Sequence, residues 1–306
     1  MTNVFIDGSA GTTGLRIVER LSERKDLHLV ILPDELRKDP SARADALAGA
    51  DIAFLCLPDD AAKESVALAQ GSSVKIIDTS TAHRTDPNWV YGMPELSGQR
   101  QRICESSRIA NPGCHASGFI ALVAPLVENG FLPKDAYLSC FSLTGYSGGG
   151  KKMIAQYEDP SRSGLYDAPR QYALTQGHKH LPEMTAVSGI ENLPIFCPIV
   201  GDFYSGMEVT VPLFAGQIKG SIEDIRVLYK DYYREGRIHY EDTDADGLLS
   251  ACAYSGRDDM GVSVFGNADR MILTARFDNL GKGASGAAIQ NMNLLLGLPE
   301  ATGLTV

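Results

Sequence analysis

The sequence predicts an α/β protein in which a doubly wound parallel sheet is joined to an α+β domain with a mostly antiparallel sheet. Three observations carry this. A strand, a glycine loop and an amphipathic helix fill residues 3–23. Strand and helix patterns then alternate up to about residue 113, the order that builds a parallel sheet. From about residue 187 strand patterns recur with few helices between them, as an antiparallel sheet requires. The 306 residues suffice for two domains with their own cores.

Asn3-Val-Phe-Ile-Asp7 reads as a buried strand, Gly8-Ser-Ala-Gly-Thr-Thr-Gly14 as a tight loop, and Leu15, Ile17, Val18 and Leu21 as one helix face ending near Glu23. Glycines let backbone approach a pyrophosphate, and the helix N-terminus adds N–H donors. This is the context of a Rossmann-like dinucleotide loop, although the spacing is G-x-x-G-x-x-G and the usual G-x-G-x-x-G would need glycine at Ala10 and Thr13. Gly8, Ser9, Gly11, Thr12, Thr13 and Gly14 are therefore cofactor candidates. A strand at 27–32 leads into Pro33-Asp-Glu-Leu-Arg-Lys38. An acidic residue there suits the ribose of NAD and a basic one the 2′-phosphate of NADP; Arg37 and Lys38 favour NADP.

Strands are predicted at 51–57 and 74–78, with a helix over 59–70 started by Pro58. Asp78-Thr-Ser-Thr-Ala-His-Arg84 leaves the C-terminal end of a strand, where ligands bind in such sheets. Ser80 and Arg84 are candidates for an anion, Arg84 through its forked guanidinium. The single Trp lies in Asn88-Trp-Val-Tyr-Gly-Met-Pro-Glu95 and reads as a core cap.

The most informative stretch is Arg108-Ile-Ala-Asn-Pro-Gly-Cys-His-Ala-Ser-Gly-Phe119. A short strand enters a Pro-Gly turn, and Cys114 opens a long apolar helix pattern. A thiol at a helix N-terminus feels the positive end of the backbone dipole, which favours thiolate, the nucleophilic form. Cys56, Cys104, Cys140, Cys197 and Cys252 lie in settings that suit small buried hydrophobes.

A strand is predicted at 136–143, and Gly145-Tyr-Ser-Gly-Gly-Gly-Lys-Lys152 formally matches G-x-x-x-x-G-K ahead of a helix at 153–157. A nucleotide-triphosphate loop needs Ser or Thr where Lys152 stands, to hold magnesium, but Lys151 and Lys152 remain candidates for a phosphate. Gln176-Gly-His-Lys-His-Leu-Pro-Glu183 holds two histidines at i, i+2, which share a face if the segment is extended. Either His178 or His180 can move a proton near neutral pH. A zinc site with Cys114 is the metal alternative, and nothing local requires it. His28, His83, His115 and His239 have no comparable setting, although His115 adjoins the thiol. A helix over 222–233, a strand over 270–277 and a C-terminal helix whose start is crowded with Gly, Ala and Ser complete the chain; the small residues permit close backbone approach to a ligand or tight packing.

The formal charge of −10 argues against nucleic-acid and anionic-membrane partners, which need a basic face. The longest apolar run, 119–127, is too short to span a bilayer. No signal-peptide pattern opens the chain, and the cysteines form no C-x-x-C pair, which fits reduced thiols in a cytoplasmic protein.

Together the segments Asp7-Gly-Ser-Ala-Gly-Thr-Thr-Gly14, Tyr91-Gly-Met-Pro-Glu-Leu96, Asn111-Pro-Gly-Cys-His-Ala-Ser-Gly118, His178-Lys-His-Leu-Pro-Glu183, Asp278-Asn-Leu-Gly-Lys-Gly-Ala-Ser-Gly286 and Gln290-Asn-Met-Asn293 resemble the short form (type 2) of the N-acetyl-γ-glutamyl-phosphate reductase family. They span nearly the whole chain in the family's order. Many longer members carry an aromatic residue and a proline after the cysteine, where this chain has His115, Ala116 and Ser117. The resemblance implies a semialdehyde-dehydrogenase-like architecture. An NADP-binding domain would comprise 1–113 and 283–306, since the last helix returns to it, and a catalytic and oligomerisation domain 114–282, in a homo-tetramer or homo-dimer. It implies NADPH-dependent reduction of N-acetyl-L-glutamyl 5-phosphate to the 5-semialdehyde in arginine biosynthesis. A Cys114 thioester would form, with His180 handling the proton and His178 as the fallback. Asn279 would face the nicotinamide amide, and Arg84, Lys151 and Lys152 would bind the phosphate and substrate carboxylate. The rival readings are another acyl-phosphate reductase such as an aspartate-semialdehyde dehydrogenase, a kinase using Gly145–Lys152, and a silent NADP-binding regulator.

Overall fold

The computed structural model describes residues 1–242 and 247–306. In chain order its elements are β1 (Thr2–Asp7), α1 (Thr12–Leu21), β2 (Leu27–Val30), α2 (Pro40–Ala48), β3 (Ile52–Leu55), α3 (Asp59–Leu68), β4 (Lys75–Asp78), β5 (Val90–Tyr91), α4 (Gln99–Glu105), β6 (Arg108–Ala110) and α5 (Cys114–Glu128). Then come β7 (Ser139–Gly145), α6 (Gly150–Glu158), β8 (Arg170–Gln171), α7 (Leu181–Ser188), β9 (Ile195–Gly201), β10 (Met207–Phe214), α8 (Ile222–Tyr232), β11 (Ile238–Tyr240), β12 (Met260–Gly266), β13 (Arg270–Phe277) and α9 (Gly286–Leu295). They fall into two units, Met1–Pro112 with Ala284–Leu304, and Gly113–Gly283 with Thr305–Val306.

In the first unit the strands run in the order β2-β1-β3-β4-β6-β5, all parallel among the described residues. Successive strand residues feed opposite faces, as the pleat requires. Val4, Ile6, Ile52, Phe54 and Ile77 meet α1 and α9 through Ile17, Leu21, Ile289 and Met292. Phe5, Ala53, Leu55 and Ile76 meet α2 and α3 through Leu47 and Ala62. Covering both faces explains why these strands are apolar at every position rather than alternating. Each large side chain buried this way contributes about 1.5–3 kcal/mol. Helix α2 is absent from the sequence reading, although its start is signalled: Asp39 caps it by accepting the Ala42 N–H, and Pro40 occupies the first turn.

In the second unit the order is β11-β12-β13-β10-β7-β9-β8. Pairs β12–β13, β13–β10, β10–β7 and β8–β9 are antiparallel, while β11–β12 and β7–β9 are parallel. The sheet is thus mixed and mostly antiparallel, as expected. Helix α7 ends at Ser188, about where strand patterns were expected to begin, β9 follows at Ile195, and β7 starts three residues later than predicted.

Helix α5 is buried almost all round and packs on β10, β13, α7 and α8. Pro125 sits inside it and cannot donate to the Ala121 carbonyl. The Tyr233 hydroxyl donates to that carbonyl at 2.6 Å, and Tyr229 does the same for Leu122. Tyr233, just past α8, therefore satisfies the backbone carbonyl that the proline would leave buried and unmet, worth about 1–3 kcal/mol.

Candidate active site

The glycine loop follows β1 directly. Gly8 adopts φ +85°, and a side chain there would run into the Cys56 carbonyl; a side chain at Gly14 would run into the Gly8 carbonyl. Both glycines are sterically required. Gly11 caps α1 without a side chain, Gly11 N–H donates to the Gly8 carbonyl at 3.0 Å, and Thr12 and Thr13 form the helix's first turn. A cleft of about 260 Å³ is lined by Gly8, Ser9 and Gly11 and by Arg37 and Lys38 from the loop after β2. Glycine-enforced backbone, a helix N-terminus and two cations fit the pyrophosphate and phosphate groups of a dinucleotide.

Asp7 and Arg43, both buried, brace this loop. Arg43 Nε donates to Asp7 Oδ2 at 3.2 Å, its Nη1 reaches Glu64 at 2.7 Å, and its Nη2 reaches Ser65 Oγ at 2.6 Å; Ser65 in turn donates to Asp7. Removal from water opposes charging of Arg43, yet the bonds from Glu64 and Asp7 outweigh it and raise its pKa. The sequence reading gave neither residue a role, because the partners lie 36 positions apart.

Ser80 and Arg84, the anion candidates after β4, are engaged within their own unit. Ser80 Oγ donates to Asp78 Oδ2 at 2.8 Å. Arg84 Nε donates to the Asn111 carbonyl at 2.9 Å and Nη2 to the Thr79 carbonyl at 3.0 Å. Both brace the end of β4. His83, given no setting by sequence, meets Asp78 at 2.6 Å and stacks on Trp89 with centroids 4.1 Å apart, so Trp89 belongs to this brace as well as to the core.

In the second unit Cys114 is the first residue of α5 and is partly exposed; of the five cysteines expected as small buried hydrophobes, Cys140 is buried and Cys56 and Cys197 partly so, but Cys104 and Cys252 are exposed. Gly113, in extended conformation, is the N-cap, and its carbonyl accepts the Ser117 N–H at 2.8 Å. The N–H groups of Cys114, His115 and Ala116 have no acceptor within the helix. Glu183 accepts the Gly113 N–H at 2.7 Å from the first turn of α7. A side chain at Gly283 would stand 3.0 Å from Cys114 Cβ, and one at Gly281 would strike the Arg257 carbonyl. The small residues before α9 thus serve close packing beside the thiol, in a π-helical turn.

His178 and His180 lie together, with ring centroids 4.8 Å apart. The expected extended segment is instead a turn: His180 is in the right-handed helical region as N-cap of α7, and its N–H donates to His178 Nδ1 at 3.2 Å. The turn is held by Gln176, whose side chain accepts the Phe196 N–H at 2.9 Å and donates to the Phe196 carbonyl at 2.8 Å. Gln176 and Ala173 are the non-glycine residues with positive φ among the described residues, 59° and 53°. Such backbone persists only where surroundings over-determine it. Burial, with Lys179 adding to it, pushes the His178 pKa down to about 4.

His115 completes this cluster, with ring centroids 5.7 Å from His178 and 5.5 Å from His180. Its Nδ1 meets Ser142 Oγ at 2.6 Å and its Nε2 meets the Tyr172 hydroxyl at 2.7 Å. Burial, then the charges of His178 and Lys179, lower its pKa to about 3. No local pattern signals this, since the partners are 27 and 57 residues distant. Glu183 had a visible cue, three residues after His180 at the start of a helix.

Asn279 Oδ1 accepts the Gly206 N–H at 2.9 Å and its Nδ2 donates to Ser147 Oγ at 3.0 Å, so its amide is bonded inside this unit. Lys151 and Lys152 are exposed on the first turn of α6. The glycines before them answer to packing, because a side chain at Gly145 would lie 2.5 Å from the Tyr204 carbonyl and one at Gly149 equally close to Met153 Sδ. Among the described residues no three His, Cys, Asp or Glu side chains are grouped to hold a metal ion, and no helix is long and apolar enough to cross a membrane.

Residues 33–105 match the semialdehyde dehydrogenase NAD binding domain, and residues 114–279 match the semialdehyde dehydrogenase dimerisation domain. The fold resembles aspartate semialdehyde dehydrogenase II of Vibrio cholerae, with a TM-score of 0.73 at 17% identity over 97% of this chain and 98% of that one. The enzyme of Francisella tularensis gives 0.70 at 14% identity over 97% and 100%. The chain is 45% identical to N-acetyl-gamma-glutamyl-phosphate reductase 2 of Nostoc sp. over 98% of both proteins. It is 47% identical to N-acetyl-gamma-glutamyl-phosphate reductase of Brucella ovis over 96% of this chain and 98% of that one. The thiol at a helix start, the paired histidines and the glycine-built cleft thus occur in a sequence that belongs to the N-acetyl-gamma-glutamyl-phosphate reductase family, within the semialdehyde dehydrogenases.

Proposed function

We propose that the protein reduces N-acetyl-L-glutamyl 5-phosphate to N-acetyl-L-glutamate 5-semialdehyde and phosphate, with NADPH as reductant and Cys114 as nucleophile. The observation that carries this is Cys114 at the N-terminus of α5, in the same unit as the His178–His180 pair. His180 takes the thiol proton. The Cys114 sulfur attacks the acyl carbon, the C–O bond to phosphate breaks, and His180 passes the proton to the departing phosphate. A thioester is left on Cys114. The first-turn N–H groups of α5 stabilise the oxyanion that develops at that carbon. A dinucleotide held by Gly8, Ser9, Gly11, Thr12, Thr13, Gly14, Arg37 and Lys38 supplies, when bound, the hydride that takes the thioester to the aldehyde level. Expulsion of the Cys114 thiolate then frees the aldehyde. His178, whose N–H acceptor role orients the His180 backbone, is the reserve acid–base group. Arg84, Lys151 and Lys152 remain our candidates for substrate anions, with Ser80 and Asn279 supporting their neighbours through the bonds described above.

Arg37 and Lys38 support a preference for NADP over NAD, because both line the cleft and Arg37 is held by Asp34 at 3.2 Å. We read the assembly as a homo-oligomer formed through the 114–279 unit, either a dimer or a tetramer.

Cys114→Ser tests the chemistry. Turnover should vanish, and so should the covalent acyl adduct seen by mass spectrometry when acyl phosphate is added without reductant, while NADPH affinity stays close to wild type. Phosphate-dependent oxidation of aspartate semialdehyde, with none of the acetylated compound, would overturn the substrate assignment.

A further inference from the structure

Strand β8 has two residues and forms one edge of the second unit's sheet, with Arg170 opposite Val200 and Gln171 opposite Ile199 on β9. The Tyr172 N–H carries the ladder on, donating to the Pro198 carbonyl at 3.0 Å. Hydrogen-bonded rungs of an antiparallel pair recur at every second residue. In this register the next rung would join Phe196 to Leu174. Leu174 does not take that place. It is 74% exposed, because the chain has turned away at Ala173, where φ is 53°. The Gln176 carboxamide stands there instead: its Oε1 accepts the Phe196 N–H at 2.9 Å and its Nε2 donates to the Phe196 carbonyl at 2.8 Å. One side-chain amide thus supplies both the acceptor and the donor of the missing peptide rung.

Glutamine is an unfavourable choice for the backbone here. The Gln176 N–H donates to the Ala173 carbonyl at 2.9 Å, closing a turn over 173–176 whose first and last residues both lie in the left-handed region. Glycine suits that region, and a side chain in it is strained. The next residue is a glycine, Gly177, yet its φ lies outside that region. The carboxamide, not the backbone, therefore accounts for glutamine at 176.

The same rung leads to the histidines. Gly177 alone separates Gln176 from His178, and His178 Nδ1 accepts the His180 N–H at 3.2 Å. The His178 ring stands edge-on to the Phe196 ring with centroids 5.0 Å apart, and the His180 ring is 4.8 Å from that of His178. Phe196, 1% exposed, is thus gripped by Gln176 through its backbone and met by His178 through its ring. Without the carboxamide, the last hydrogen bond to the β9 backbone ahead of the histidines, among the described residues, is the one from Tyr172.

We propose that Gln176 is a positioning residue for the acid–base histidines: its carboxamide, standing in for Leu174 at the sheet edge, holds the turn that places His178 and His180. The proposal rests on the reading of His180 as the group that moves the thiol proton, with His178 in reserve.

The test compares Gln176→Gly and Gln176→Asn with wild type. Glycine accepts the left-handed backbone, so the carboxamide alone is lost; asparagine tolerates that backbone too, but its carboxamide is one methylene short of Phe196. In both variants exchange of the Phe196 amide proton, followed by NMR, should be about five- to tenfold faster, the worth of one hydrogen bond. In phosphate-dependent oxidation of N-acetylglutamate semialdehyde, kcat should fall roughly 10- to 100-fold, as displacement of a catalytic group does. NADPH affinity should stay at the wild-type value, which also shows that the variants are folded. Wild-type exchange at Phe196 in Gln176→Gly would overturn the rung. An undiminished kcat, or one that falls only in step with NADPH affinity, would overturn the positioning role. The His180 reading fails separately, through turnover surviving in His180→Ala, because exchange at Phe196 reports the rung whichever group moves the proton.

Discussion

The Glu183 carboxylate accepts the backbone N–H of Gly113 at 2.7 Å, one residue ahead of the thiol. Glu183 is 1% exposed, and it lies on the first turn of α7, three residues after His180. One carboxylate thus ties the entry to the nucleophile's helix to the first turn of the helix that His180 caps. A hydrogen bond to a charged group contributes about 1.5–3 kcal/mol, and losing the acceptor leaves a buried N–H unmet. Glu183→Ala should lower thermal stability by several degrees and reduce kcat by more than tenfold, with NADPH affinity unchanged. Glu183→Gln, which keeps an acceptor oxygen, should recover most of the stability. Calorimetry and steady-state rates decide this; equal kcat in wild type and Glu183→Ala would show that the Gly113 contact does not position the thiol.

The Asp7–Arg43 pair joins the strand before the glycine loop to the helix after the Arg37–Lys38 loop. Removing one partner of a buried pair strands the other, at a cost of about 3–5 kcal/mol. Arg43→Ala should therefore destabilise the fold. Because α2 begins two residues after Lys38, the variant should also lose more affinity for NADPH than for NADH, as seen by fluorescence titration. An unchanged ratio of the two affinities would confine Arg43 to a stabilising part.

The paths from sequence to these two braces differ. The glycine loop, the strand and helix order of the first unit and the opening of α5 at Cys114 were legible because each is written in neighbouring residues: a glycine that must adopt positive φ, a period of two, an apolar run after a Pro-Gly turn. The histidine pair was legible as a pair, but its conformation was not. A turn clamped by Gln176 onto Phe196, 20 residues on, brings the rings together where an extended segment was expected. Arg43, Tyr172 and the hydroxyl contacts of His115 left no local trace, since each depends on partners brought by other elements. Helix α2 was legible in principle through Asp39 and Pro40, but its weak amphipathic pattern hides it.

The histidine cluster makes stability depend on pH with a definite sign. Burial and then Lys179 lower the His178 pKa from the ordinary 6.5 to about 4. His115 is lowered to about 3. Between about pH 6.5 and these values the unfolded chain binds more protons than the folded one, so stability is fully present above 6.5 and is lost as pH falls through the window. Glu241 acts in the same direction further down: burial opposes its charge, but bonds from His239, Tyr254 and Arg276 prevail and bring it to about 2. The melting temperature should fall steadily from pH 7 to pH 5, and His178→Gln should flatten that slope. A melting temperature that rises on acidification contradicts the burial of these rings as neutral groups.

The outer face of the second unit's sheet is the remaining feature that demands a partner. By register, Phe141, Ile195, Phe214 and Ile272 share one side of β7, β9, β10 and β13, while the buried Val209, Val211, Leu273 and Ala275 line the other, under α5. Sheets with one solvated face carry polar residues there. Here Phe214 is 65% and Ile195 60% exposed, and a groove of about 520 Å³ runs past Tyr137, Pro212, Phe265 and Met271. Apolar surface of that extent marks an interface, and the residues concerned fall within the match to a dimerisation domain. Stable interfaces bury about 800 Å² per partner, and an introduced charge at the centre of such a patch is desolvated without a counterion. Phe214→Glu with Ile272→Glu should therefore convert the assembly to the 32.9 kDa chain in sedimentation equilibrium. An assembly mass unmoved by both charges places the contact on another surface.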